Sequence, residues 1–136
     1  MVSQGYTITV KGSSSNPATT ADATGKDVVF ISSTINSGDI GTKYRDVTVP
    51  VIVSEPWLLD DMKMVDNDGN HQGSTSSQTQ MIIDMATHPL VEGLSGTINV
   101  LNPAESIRWG KPNSNCDKIA RVSGSSLPVS HVHVHG

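Results

Sequence analysis

The sequence predicts an α/β fold, a mixed parallel and antiparallel sheet flanked by short helices, and three observations carry that expectation. Residues 28–31 (V-V-F-I) form a continuous apolar run, the pattern of a strand covered on both faces. Residues 49–53 (V-P-V-I-V) form a second such run. Between them Asn36 and Ser37 can cap a helix through G-D-I-G-T-K-Y-R-D, so the order strand, helix, strand implies a right-handed crossover between parallel neighbours.

The other elements follow in chain order. Residues 6–11 (Y-T-I-T-V-K) alternate apolar and polar positions with β-branched types, which predicts a strand. T-T-A-D-A-T-G then reads as a turn or short helical piece ending at Gly25. After Glu55 and Pro56, the apolar residues Trp57, Leu58, Met62 and Val65 have a helix-compatible spacing. Residues 66–77 (D-N-D-G-N-H-Q-G-S-T-S-S) read as a polar loop. Beyond it Q-T-Q-M-I-I-D, T-I-N-V-L, S-I-R-W-G and D-K-I-A-R-V-S read as short strands on tight links, with H-P-L-V-E-G-L-S-G as a turn and short helix. The second half is therefore expected to be more antiparallel. The end of the chain, S-H-V-H-V-H-G at residues 130–136, reads as a last strand or tail, after a single α/β domain over residues 1–129.

Composition removes some function classes. Charged residues make up 16% of the chain, the formal net charge is -4, and the nine basic residues are scattered rather than striped. Nucleic-acid binding is therefore not expected. No apolar run approaches the roughly 20 residues needed to span a bilayer, so membrane insertion is not expected either. A single cysteine, Cys116, excludes an intramolecular disulfide.

The chemistry-bearing residues are few. Cys116 lies in K-P-N-S-N-C-D-K-I-A, with no glycine elbow to expose and activate a thiolate. No G-x-S-x-G is present, and Asp60 and Asp61, adjacent on a helix, would point about 100° apart rather than at one substrate. An enzyme is not expected. In D-N-D-G-N, setting Gly69 at the sixth position of a calcium loop puts Met64 first and Thr75 twelfth, so both ends fail. A looser calcium site at Asp66, Asp68 and Asn70 stands beside a solvated turn. His131, His133 and His135 would share one side of a strand, a geometry suited to zinc or copper, with a third imidazole available from a symmetry mate. The same run also reads as a purification handle or a sheet edge. No cofactor is required by any of these patterns.

Several stretches together resemble a family of bacterial extracellular modules with the flavodoxin-like, class I glutamine-amidotransferase-like fold. The carrying residues are 28–64 (V-V-F-I-S-S-T-I-N-S-G-D-I-G-T-K-Y-R-D-V-T-V-P-V-I-V-S-E-P-W-L-L-D-D-M-K-M), S-S-Q-T-Q, residues 88–100 (H-P-L-V-E-G-L-S-G-T-I-N-V), W-G-K-P and K-I-A-R-V. The resemblance implies an extracellular or cell-surface setting, a flavodoxin-like sheet, and no established activity. It also implies a departure: members open with a further strand and helix ahead of the G-Y-T-I-T-V equivalent, so the first βα unit is expected to be missing here. In a flavodoxin-like order that strand is central, and its loss would leave two neighbours unpaired.

Two functional expectations result. The first is a non-catalytic structural or self-assembling module, a homo-oligomer or the neighbour of another domain, that associates by strand addition. The second is a carbohydrate- or ligand-binding accessory module. It would use Glu55 and Trp57, which follow a strand where flavodoxin-like folds put their ligand crevice, together with Trp109.

Overall fold

The computed structural model describes residues 5–12, 14–65 and 71–124. Its regular elements are β1 (Val29–Ile31), α1 (Ser37–Ile40), β2 (Val51–Val53), β3 (Gln72–Gln78), β4 (Gln80–Ile83), β5 (Gly96–Asn99), β6 (Glu105–Gly110) and β7 (Ala120–Val122), with 3-10 turns at Thr20–Ala23, Pro56–Leu58 and Pro89–Val91. The strands form three small sheets. β1 pairs with β2 in parallel, β3 with β6 antiparallel, and β5-β4-β7 make an antiparallel three-stranded sheet.

The expected flavodoxin-like α/β sheet is not what forms. Parallel neighbours need a crossover of a dozen or more residues, and of the links that long, residues 32–50, 54–71 and 84–95, only the first joins two strands that pair in parallel. Its helix is short: Asn36 caps α1 by accepting the Gly38 N–H at 2.9 Å, and Gly41, at φ +50°, stops it after one turn. The helix expected after Pro56 is likewise a 3-10 turn followed by irregular turns, with Lys63 at φ +57°. The strands beyond residue 71 all pair antiparallel, β3 with β6 and β4 with both β5 and β7. No helix among the described residues is long and apolar enough to cross a membrane.

Two local readings are also corrected. Residues 72–77, expected in a polar loop, belong to β3 because the ladder with β6 pairs their backbone despite the absence of apolar side chains. Residues 6–11, expected as a strand, are exposed throughout and join no sheet.

The core lies in the first half. Ala18, Ala23, Ile31, Ile40, Tyr44, Val51, Val53, Leu58, Leu59, Met62, Met64 and Val65 form one buried cluster, with Val29, Ile35, Val47 and Val49 packed against it. Among the described residues beyond 71, the buried apolar side chains are Val91, Pro112, Ile119 and Val122. Gly110 joins the two regions, because a Cβ there would meet the Leu59 and Val65 side chains at 2.7 and 2.8 Å.

Candidate functional site

Glu55, Trp57 and Trp109 occupy three different environments. Glu55 is 6% exposed, and its Oε1 accepts the Trp57 backbone N–H at 3.1 Å. It thereby caps the 3-10 turn Pro56–Leu58, with Pro56 supplying the first position where an N–H would be orphaned. That bond turns the carboxylate toward its own backbone. Leu58, inside the same turn, is fully buried, so the turn is anchored while Trp57 stands 56% exposed on its outer side.

The Arg108 guanidinium lies over the Trp57 ring, 5.1 Å from its centroid. Trp109, the next residue on β6, pairs with Gly73, and its indole covers the place where a Gly73 Cβ would stand, 2.4 Å from Cζ2. Alternate residues of a strand face opposite ways. Arg108 therefore shares a side with Gly110 and the core, and Trp109 takes the other. The two indoles flank the β3–β6 ribbon and form no common stacking platform.

The cleft between the 3-10 turn and the ribbon is lined by Pro56, Trp57, Gln72, Gly73 and Arg108 and has a volume of ≈ 10 Å³. That is about the room one water needs, against several hundred Å³ for an ordinary ligand pocket. Nearby, His71 Nε2 is 3.8 Å from Asp60 Oδ2, while His71 Nδ1 and Gln72 Oε1 are buried without a hydrogen-bond partner.

The remaining chemical candidates act locally. His88 Nδ1 accepts the Leu90 N–H at 3.2 Å and caps the turn Pro89–Val91. The half-buried Cys116 Sγ lies 3.2 Å from Asn113 Oδ1. Asp66, Asp68 and Asn70, and His131, His133 and His135, lie outside the described residues. Among the described residues no group of three or more His, Cys, Asp or Glu side chains could hold a metal ion.

A different feature is better built. In the parallel pair β1–β2 the register sets Val29 opposite Val51, Phe30 opposite Ile52 and Ile31 opposite Val53. Ile31, Val51 and Val53 face the core, at 3%, 3% and 8% exposure. Phe30 alternates to the outer face at 56% exposure, with Val28 at 48%. The Val29 N–H donates to Pro50 O at 2.9 Å, and the Ser54 N–H donates to Ile31 O at 2.8 Å. Val29 and Ile31 thus turn their backbone toward β2, and the N–H and C=O of Phe30 turn away from it. On that side no strand pairs with β1 among the described residues. Among the described residues, Phe30 pairs with no strand on that side, and its side chain is exposed.

A slot beside unpaired strands is expected from the resemblance, whereas residues 28–31 themselves read as covered on both faces, as a continuous apolar run implies. The signal against that reading was available: Gly41 interrupts the helix that would have supplied the second cover. No protein-family model, curated protein or solved structure matches this chain.

Proposed function

We propose that the chain is a non-catalytic association module of a secreted or surface protein, joined to a further copy of itself by strand addition at the free edge of β1. The observation that carries this reading is the state of β1–β2. A two-stranded sheet is marginal by itself, and parallel sheets ordinarily have both faces and both flanks covered. Here the inner face is packed while Val28 and Phe30 are exposed beside backbone that no strand pairs with among the described residues. An added strand would satisfy the backbone and cover apolar surface in one step.

Light scattering coupled to gel filtration, over a range of micromolar concentrations, tests it. The wild-type chain is expected at a multiple of its 14.4 kDa mass. Phe30→Lys, which puts a charge on the edge without touching the core, is expected at the monomer mass. A wild-type chain that stays monomeric at every concentration overturns the proposal.

A ligand-binding role has one observation in its favour, the exposed Trp57 ring beneath Arg108. Glycan-array binding that is lost in Trp57→Ala would establish it. The small cleft and the separation of the two indoles favour association.

A further inference from the structure

Residues 6–11 combine three properties that seldom occur together. Their sequence, Y-T-I-T-V-K, is strand-forming at every position but the last. Their apolar side chains are exposed, Tyr6 at 66%, Ile8 at 45% and Val10 at 76%. They belong to no sheet among the described residues. Among the described residues the chain therefore holds a strand-like segment and, at β1, a strand edge, neither of which pairs with another strand.

The geometry points to reciprocal exchange: we infer that residues 6–11 of one copy add as a strand to the β1 edge of a second copy, and that the second copy returns the same contact. The inference rests on the association proposed above and names its donor. The two surfaces fit chemically. The edge offers the Phe30 N–H and C=O with Val28 and Phe30 exposed, and the segment offers a backbone that pairs with no strand among the described residues, with Tyr6, Ile8 and Val10 along one side. Six residues in strand conformation reach roughly 20 Å, enough to run the length of β1.

The segment is also lightly held by its own chain. Lys26 Nζ donates to Thr9 Oγ1 at 3.2 Å, Asn16 Nδ2 donates to Val10 O at 2.8 Å, and Lys11 pairs with Asp22 at 3.2 Å. These are exposed polar contacts, replaceable by water. Immediately after the segment, Gly12 adopts φ +110°, and a Cβ there would stand 2.5 Å from Ile35 Cδ1. Only glycine lets the chain turn at this point while passing Ile35, so the segment leaves the body of the protein at a fixed hinge.

Donor and acceptor are different surfaces, so one contact alone would propagate into an open chain of subunits. Reciprocity closes it as a two-fold dimer. A complementation experiment tests this directly. Ile8→Lys damages the donor and Phe30→Lys damages the acceptor, and both residues lie outside the core. Each variant is checked for an unchanged circular dichroism spectrum, then measured alone and in an equimolar mixture by light scattering.

Reciprocal exchange expects a wild-type dimer and two monomeric variants. It also expects a mixture that recovers heterodimer, because one of the two contacts then joins an intact donor to an intact acceptor. A mixture that stays monomeric overturns the inference. If Phe30→Lys is monomeric while Ile8→Lys still dimerises, residues 6–11 are not the donor, and association at β1 stands without them. If the wild type is monomeric, both proposals fall. Mass growing without limit as concentration rises would overturn the closed exchange in favour of an open chain.

Discussion

Replacing Gly73 by alanine separates two opposed effects whose magnitudes the structure supplies. Glycine inside a strand carries an entropic cost, so Gly→Ala at an unstrained position stabilises by roughly 0.5–1 kcal/mol. Gly73 has no positive φ, so its backbone accepts a side chain. The new Cβ, however, would stand 2.4, 2.8 and 3.0 Å from three atoms of the Trp109 indole. Ordinary contact begins near 3.5 Å. The indole must move by about 1 Å at its nearest atom, and forced displacement of this kind costs typically 1–3 kcal/mol. Because Trp109 is only half-buried and can yield toward solvent, the lower part of that range applies. The net expectation is a destabilisation of about 0.5 kcal/mol.

Urea unfolding followed by circular dichroism reads that difference, and tryptophan emission reads the movement of the ring. The decisive control is the double-mutant cycle with Trp109→Leu, which removes the ring. In that background Gly73→Ala should become neutral or stabilising. If Gly73→Ala stabilises the otherwise unaltered chain, or if its penalty persists without the indole, the packing of Trp109 on Gly73 has been misread.

Glu55→Ala should lower stability by about 1 kcal/mol through loss of the cap, with Glu55→Gln retaining most of it, and neither should alter the oligomeric mass. Full stability in Glu55→Ala would show that the 3-10 turn does not depend on its cap. Leu58→Ala removes a fully buried side chain and should cost about 2–5 kcal/mol, whereas Trp57→Ala, one position earlier, should cost far less in the same denaturation assay. The Thr19 backbone N–H, the largest influence, holds Asp22 below its ordinary value of 3.8; burial opposes it, and the Thr19 hydroxyl and Lys11 each add a smaller lowering effect. A carboxylate lowered on folding contributes stability that is fully present above the ordinary value and is lost as pH falls through the folded one. Wild type should therefore exceed Asp22→Asn in urea midpoint at neutral pH, with the two curves converging below the ordinary aspartate range. Parallel curves at all pH values would remove Asp22 from the capping of Thr20–Ala23.

Much of the strand content was legible because it depends on local pattern. The apolar runs around Val29–Ile31, Val51–Val53 and Gln80–Ile83 appear as strands at those places. The architecture was not legible, because it depends on how far each helix runs. Asn36 marked a helix start correctly, but Gly41 ended it after one turn, and without a long covering helix β1 and β2 could not recruit further parallel neighbours. β3 was invisible for the opposite reason. Q-G-S-T-S-S-Q buries almost nothing, and its strand conformation comes from its partner β6. At the candidate sites, Glu55 was recognisable as an unusual residue but not as a cap, since the distinction lies in one bond to the Trp57 N–H. The two tryptophans looked like a pair only because strand parity cannot be applied to residues on different elements.

The uneven distribution of buried side chains has a consequence for how the molecule comes apart. Twelve core residues lie between Ala18 and Val65, while β4, β5 and β7 are backed by few. Local opening free energies follow buried apolar contact. Amides of β5 and β7 should exchange with deuterium through sub-global openings that leave β1–β2 closed, so heating will release the molecule in steps. A protease would then cut first beyond residue 71. The surviving fragment would keep both the hinge at Gly12 and the edge at Phe30, the two parts a subunit needs in order to hold its neighbour.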